Sequence, residues 1–437
     1  MAKLVKEEMY VKSNAAGNNN KFWEIKLYDD FSVHIRNGRV GGNGQIQTPK
    51  EFGSMEDAEA FWDKKTKEKL SSRKGYTKFK GILTESNEVK VTSSNNLADI
   101  ALKQIDTSSG SETANLIKYL SKKNIHNITS ATTITYNADS GLLKTPLGIV
   151  TQEGLDEARL LLGNIAPFVK EEDHNNSTFI DYLQEYMQLI PRKIGRKFVP
   201  EEIIADMTAV QRESQLLDAL DASLQQVLSA PVDDGSGKKS DEPRVFNVKV
   251  EVMKDQKVFE HIKHFYNKTR NRNHTSYNLQ PKKVYTVEIG HMKEAFEKKG
   301  KKVGNIMELF HGTRTENLLS ILKGGLVIPK GTEGHFTGAM FSGKKGGLYF
   351  SDQSTKSLNY SQGYWSGGSR DNNPFMFIAS VAMGKYYIPS GPSHDLPKPG
   401  YDSTFAKAHE SGVRNNEMVI YSVSQCNLNY LVEFSDN

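Results

Sequence analysis

The chain has 437 residues, of which 37% are hydrophobic and 25% charged, with a formal net charge of +5 and one cysteine, Cys426. Length allows roughly two to four domains. No apolar run approaches the roughly 20 residues that span a bilayer, and the opening MAKLVKEEMYVKS lacks the apolar core of a secretion leader, so the expectation is no membrane partner and a reducing compartment. A single cysteine excludes an internal disulfide framework and any multi-cysteine zinc finger, and Cys426 reads as a small buried residue. Charge is uneven. Residues 1–80 hold 16 Lys+Arg against 11 Asp+Glu, which is the entire excess. A small basic domain on a neutral body suggests contact with a polyanion, against the plainer reading of a solvated helix face.

Along the chain, FWEIKLYDD and FSVHIRN alternate apolar and polar residues around Asp29-Asp30, which predicts an antiparallel sheet over 21–52. Ser54 followed by Asp57 marks a helix start, with Ala58, Phe61 and Trp62 on its inner face. Residues 1–85 therefore read as one small domain. Residues 86–110, poor in large apolar groups and carrying TSSNN and DTSSGS, read as a linker. Residues 111–230 read as a helical bundle with four apolar stripes, the third stopped by Pro191 and the fourth running from Ile203 to Leu228. This segment is acidic, with 11 Lys+Arg against 16 Asp+Glu. PVDDGSGKKSDEP, residues 231–243, is a second linker. Strand periodicity then dominates residues 244–437, in Phe246–Val252, KVYTVEIG, MELFH, GGLYFS, MFIASVAM, MVIYSVS and YLVEF. The fold class expected is α+β multidomain, with a sheet-plus-helix domain, an all-α bundle and a mainly antiparallel α+β domain.

In the last domain, Leu309-Phe310 end a strand at His311-Gly312-Thr313, and a helix stripe of Leu318, Leu319, Ile321 and Leu322 stops at Gly324-Gly325. Tyr349 lies in GGLYFSD. Lys356, Ser357 and Tyr360 follow in STKSLNY, and Glu417 opens NNEMVIY. With HTSYNL, GLVIP and LNYLVEF in order, these residues resemble the His-Tyr-Glu signature of the poly(ADP-ribose) polymerase family. TPLGIVTQEGLDEARLLL and LIPRKIGRK are similar to that family's helical regulatory domain. RNGRVGGNGQ followed by EKLSSRKGY is similar to its WGR domain. The domain order resembles that of the short DNA-dependent members.

The resemblance implies cleavage of NAD+ at the nicotinamide–ribose bond, with no metal, and transfer of ADP-ribose to protein acceptors including the chain itself. It implies that Glu417 stabilises an oxocarbenium-like transition state and orients the acceptor. His311 and Thr313 bind the adenosine-side ribose, and the Gly312 backbone and Ser357 hold the carboxamide. Tyr349 and Tyr360 flank the nicotinamide ring, and Lys356 supports the site. The partners implied are DNA strand breaks or 5′-phosphate ends, met through Asn37, Gly38 and Arg39 by a chain that is a monomer when free. A eukaryotic source would place it in the nucleus, a bacterial or phage source in the cytoplasm. Two positions depart from the pattern. Val327 stands where an arginine usually touches the adenosine end, and Asn37 replaces the signature tryptophan. Three readings compete: a DNA-dependent polymerase of ADP-ribose, a mono-ADP-ribosyltransferase on protein or nucleic-acid ends, and a non-catalytic DNA-end scaffold.

Overall fold

The alternation in KFWEIKLY and SVHIRNGR is realised as strands of one antiparallel sheet, and the fold follows from there. The computed structural model describes residues 2–12, 21–39, 44–79, 97–106, 110–137, 143–145, 148–192, 199–228, 246–328, 340–343, 346–363, 371, 373–393 and 395–436. They divide into two units, residues 1–94 with 128–207, and residues 95–127 with 208–437.

In the first unit β1 (Leu4–Lys12), β2 (Lys21–Tyr28), β3 (Ser32–Arg39), β4 (Gln45–Ile46) and β5 (Lys50–Glu51) precede α1 (Met55–Leu70) and β6 (Thr77–Lys78). The sheet order is β4-β3-β2-β1-β6, with β5 also on β3. Tyr10, Trp23, Ile25, Leu27, Val33 and Ile35 form a core that α1 covers with Ala58 and Trp62. Ser54 caps α1, its Oγ accepting from the Asp57 N–H at 3.2 Å and donating to Asp57 Oδ2 at 2.8 Å. The Asp29-Asp30 turn is closed by Asp30 Oδ1, which accepts from the backbone N–H and hydroxyl of Ser32 at 3.1 and 2.7 Å. Strand β1 lies outside the predicted sheet. Its paired glutamates Glu7 and Glu8 break the apolar alternation, and full burial begins only at Met9.

Downstream come α2 (Leu97–Gln104), α3 (Ser111–Ala131), a small antiparallel sheet of β7 (Thr135–Tyr136), β8 (Leu143–Thr145) and β9 (Gly148–Ile149), then α4 (Gln152–Lys170), α5 (Ser177–Leu189), α6 (Pro200–Ile203) and α7 (Met207–Leu228). Three sequence expectations change here. The helical segment is interrupted by β7–β9, where β-branched residues in TTIT and turn residues in TPLG outweigh helix propensity. The fourth stripe is two helices, because Ile204 leaves the helical region at φ −134°, ψ 85° and buries its side chain completely. Part of the first linker is ordered. Leu97 and Ala101 of α2, with Ile105 beyond it, recur every fourth residue and are buried, and Asp106 bridges to Lys249. The remaining residues of that linker up to 96, and the second linker, lie outside the described residues.

The second unit is built on β10 (Val248–Val252), α8 (Gln256–Lys268), β11 (Gln280–Ile289), α9 (Gly290–Ala295), which passes through a π-turn at Phe296–Gly300 into α10 (Lys301–Val303), β12 (Ile306–Gly312), α11 (Leu318–Gly324), β13 (Leu348–Phe350), α12 (Ser354–Ser361), β14 (Phe375–Ala382), β15 (Tyr386–Tyr387), β16 (Ser403–Ala406), β17 (Glu417–Ile420) and β18 (Cys426–Ser435). Two sheets result, β10-β11-β18-β14-β12 and β13-β17-β16-β15. Leu116, Ile117 and Leu120 of α3 share a core with Val248, Tyr285, Leu309, Phe377 and Leu431. Helix α7 reaches α11 through Ser320 Oγ, which donates to the Asp218 carbonyl at 3.0 Å, and Lys323, paired with Asp221 at 2.6 Å. Cys426 is fully buried, and that burial pushes its thiol up to about 12. No described helix is long and apolar enough to cross a membrane.

Trp62 is 1% exposed at the centre of the first unit's core. Trp62→Ala is expected to remove about 3–5 kcal/mol of stability, read as a lower denaturation midpoint by circular dichroism.

Candidate active site and nucleic-acid face

Among the described residues, the two sheets of the second unit meet at a bridge between Phe310 and Ser351. Phe310 N donates to the Ser351 carbonyl at 2.9 Å, and Ser351 N returns a bond to the Phe310 carbonyl at 3.0 Å. One residue past Phe310 is His311, and two residues before Ser351 is Tyr349. The bridge thus places the ends of β12 and β13 together.

His311 Nδ1 lies 2.9 Å from the Tyr349 carbonyl. A carbonyl only accepts, so Nδ1 carries the proton and Nε2 keeps its lone pair. Burial holds the imidazole below its ordinary range, partly opposed by that hydrogen bond. At Gly312 the strand runs against α12, and a Cβ there would lie 1.7 Å from the Ser357 carbonyl oxygen, so only glycine allows this approach. Ser357 is buried, its hydroxyl donating to the Phe310 carbonyl at 3.2 Å. Thr313 Oγ1 accepts from Asn317 Nδ2 at 3.0 Å.

Tyr349 is anchored at its hydroxyl, which accepts from Phe341 N at 2.8 Å and Ser342 Oγ at 3.1 Å. Burial raises this phenol, with Glu417 adding to the effect. Tyr360, on the last turn of α12, is 41% exposed. Partial burial, and behind it the Glu417 carboxylate, raises its phenol to about 12.

Glu417 begins β17, opposite Ala406, and the next residue, Met418, pairs with Phe350. Lys356 Nζ donates to Glu417 Oε1 at 2.8 Å and to the Asn416 carbonyl at 3.1 Å. Lys356 is only 7% exposed. Burial lowers its ammonium, and Glu417 opposes that as the nearest carboxylate. Consecutive residues of α12 therefore reach opposite walls, Lys356 towards Glu417 and Ser357 towards Phe310. His311 and Tyr349, Gly312 and Ser357, and Lys356 and Glu417 are thus linked pairwise where β12, β13, α12 and β17 meet, with Tyr349 and Tyr360 within electrostatic reach of Glu417. Val327 is 55% exposed beyond α11.

Sequence reading passed over Asp352, Asn416 and His274. Asn416 Nδ2 donates to Asp352 Oδ2 at 2.7 Å. His274 Nδ1 lies 2.9 Å from Thr355 Oγ1, and burial holds this imidazole low, opposed by the hydrogen bond it donates to Asn415. The doubled asparagine directly before Glu417 was the available signal.

In the first unit, Asn37, Gly38 and Arg39 end β3. Asn37 Oδ1 accepts from Gln47 Nε2 at 2.8 Å. A Cβ on Gly38 would meet the Gly44 Cα at 2.6 Å. Arg39 stands opposite Lys21, and Lys21 opposite Lys12, so three cations form one cross-strand row. Like charges in register are unfavourable, and a polyanion relieves them. Lys69 extends the row, lying over the rings of Trp23 and Tyr76 at 5.0 and 4.9 Å. Burial, then the neighbouring Lys74, lowers its ammonium.

Three family models match the chain: a WGR domain over residues 7–81, a poly(ADP-ribose) polymerase regulatory domain over 110–230, and a poly(ADP-ribose) polymerase catalytic domain over 256–436. Poly [ADP-ribose] polymerase 1 of Gallus gallus is 26% identical over 96% of this chain, which spans 44% of that protein's length. Poly [ADP-ribose] polymerase 2-A of Oryza sativa subsp. japonica is 25% identical over 98% of this chain and 69% of its own length. Protein mono-ADP-ribosyltransferase PARP3 of Homo sapiens is 24% identical over 97% and 86%.

Both His311 and His274 titrate below the ordinary histidine value of 6.5 in the folded chain. The unfolded chain then binds more protons, so their stability contribution is full above pH 6.5 and is lost as pH falls through the folded values. His311→Gln is expected to flatten the fall in melting temperature on going from pH 7 to pH 5, checked by calorimetry at each pH.

Proposed function

Because the chain belongs to the poly(ADP-ribose) polymerase family, we propose that it cleaves NAD+ at the nicotinamide–ribose bond and transfers ADP-ribose to protein acceptors, itself included, when its first unit meets a DNA end. The observation that supports this reading is that the Phe310–Ser351 bridge brings His311 against Tyr349, while the Lys356–Glu417 pair ties Glu417 to the helix that carries Ser357.

In this reading nicotinamide takes the slot between Tyr349 and Tyr360, with the carboxamide on the Gly312 backbone and the Ser357 hydroxyl. His311 offers a neutral Nε2 to a ribose hydroxyl, and Thr313 supplies a second polar contact. When the glycosidic bond breaks, its electron pair stays on the nicotinamide nitrogen, which becomes neutral, and positive charge spreads over the ribose. The Glu417 carboxylate faces that charge and stabilises it. An acceptor oxygen then bonds to the same ribose carbon, with Glu417 placed to take its proton. Lys356 keeps the carboxylate aimed before substrate arrives.

On the first unit, the row of Lys12, Lys21 and Arg39, extended by Lys69, takes the phosphates of a DNA end, with a 5′-phosphate as the favoured group. Such contacts bind without sequence preference. Asn37 offers a polar edge where the family has an aromatic face. DNA binding then opens the catalytic cleft by loosening the regulatory helices. A second reading of the product is a single ADP-ribose, since one relative matched over 97% of this chain is a mono-ADP-ribosyltransferase. Product length separates the two.

The test is incubation of the pure chain with labelled NAD+, with and without 5′-phosphorylated DNA ends, and sizing of the product. Labelled protein that appears faster with DNA supports the proposal; no label under either condition overturns it. Glu417→Gln should lower transfer about 10²- to 10⁴-fold, and intact automodification in that variant would remove Glu417 from its role. For the nucleic-acid face, Lys21→Ala should weaken DNA binding and reduce the slope of log affinity against log salt by about 1, measured by fluorescence anisotropy.

A further inference from the structure

The β16–β17 loop, residues 407–416, folds against itself immediately before Glu417. Ala408 bridges to Val413, His409 N donates to the Val413 carbonyl at 3.1 Å, and Lys407 N donates to Ser411 Oγ at 3.0 Å. These bonds shape the loop, and the Ala406 pairing and Lys356 hold Glu417 itself. Asn416 links the two. Asn416 Nδ2 donates to Asp352 Oδ2 at 2.7 Å, and Asn416 Oδ1 accepts from Ala408 N at 2.8 Å. Its backbone carbonyl accepts from Lys356 Nζ at 3.1 Å and from Ser351 Oγ at 3.3 Å.

We infer that Asn416 is a positioning residue for the proposed ADP-ribosyl transfer, its side-chain amide clamping the β16–β17 loop to Asp352 so that Glu417 points into the cleft. The inference rests on the functional reading above. Its logic is the polarity of an amide. One end must donate, because Asp352 presents a carboxylate, and the other must accept, because Ala408 presents an N–H. Aspartate has the same shape and cannot donate. It would set two carboxylates face to face beside Glu417. Alanine would leave Asp352 with no partner on either oxygen, since its Oδ1 is already buried without one. Asp352 also stands between β13, which carries Tyr349, and α12, which carries Lys356, Ser357 and Tyr360. The clamp therefore ties Glu417 to the same segment that orients the rest of the site.

The plainer alternative is a residue that only closes a hairpin, and it would move stability alone. The experiment compares the full chain with Asn416→Asp, Asp352→Asn and the double variant, in which amide and carboxylate trade places. Turnover of labelled NAD+ is measured in the presence of DNA ends. Asn416→Asp should lose about 10- to 100-fold in kcat, with KM for NAD+ within about twofold, because Gly312, Ser357, Tyr349 and Tyr360 are untouched. The double variant should recover most of the loss. Asp352→Asn alone should lose little, since its amide oxygen still accepts from Asn416. An unchanged kcat in Asn416→Asp, or a loss that the double variant does not restore, overturns the clamp. Hydrogen exchange at the Ala408 amide reads the clamp without activity. It should speed up in Asn416→Asp, where repulsion between the two carboxylates pulls the loop away from Asp352, and slow again in the double variant, and failure to do so also overturns the inference. A wild-type chain that turns over no NAD+, with that exchange pattern intact, would instead sink the functional reading.

Discussion

A lysine ammonium with 7% exposure has lost nearly all its water and needs a carboxylate in reach. Lys356 finds Glu417 at 2.8 Å, and much of the second unit's architecture follows from that pairing. The pair fixes α12 to the start of β17. The next residue, Ser357, fixes the same helix to the end of β12. Gly312 lets strand and helix come close enough for both to hold. Breaking one partner would leave a buried charge alone, which costs several kcal/mol in general, so the cleft is set before any ligand enters. A site that stabilises a transient positive charge gains from a carboxylate already aimed, because no reorganisation is left for the moment of reaction.

The first unit shows the opposite arrangement of charge. Arg36 is satisfied internally by Glu24, in a two-pronged pair at 2.8 and 2.9 Å, and lies over Phe22. Lys12, Lys21 and Arg39 are stacked beside one another in register. Side chains alternate faces along a strand, so Arg36 and Arg39, three residues apart, serve opposite faces. One carries structure. The other, Arg39, shares the face of Trp23 and Ile35 that α1 packs on, and stands there beside Lys21 and Lys12, with Lys69 of α1 over Trp23. Aromatic rings under Lys69 hold it in place without neutralising it.

Much of this was legible in the sequence, for identifiable reasons. Strands β10 to β14, β17 and β18 read clearly, because each has a period-2 or fully apolar pattern and is bounded by turn residues, whereas β15 and β16, two and four residues long, are too short to show a period and were missed. The Ser54 cap, the Gly324-Gly325 stop and the stripes of α4 and α5 were equally plain. Strand β1 was hidden by Glu7-Glu8, and α2 by its Ser- and Asn-rich flank. The break between α6 and α7 was invisible, since Ile204 continues the apolar content while leaving the helix. Within the cleft, His311, Tyr349 and Glu417 were accessible as a pattern of types in order. Asn416 and Asp352 were not, because the doubled asparagine before Glu417 marks a turn and says nothing of its partners. Its role depends on which backbone amide and which carboxylate the fold brings to it.

By itself the sequence determined the fold class, the longer periodic elements and the residue types available for chemistry, because these depend on local periodicity, caps and composition. It also confined the excess of basic residues to the first 80. Only the tertiary structure decided that His311 meets Tyr349 and Lys356 meets Glu417, and that Arg39, Lys21 and Lys12 form a single row. Those are contacts between distant segments, created by strand register and by the burial of one ammonium, and no local pattern encodes them.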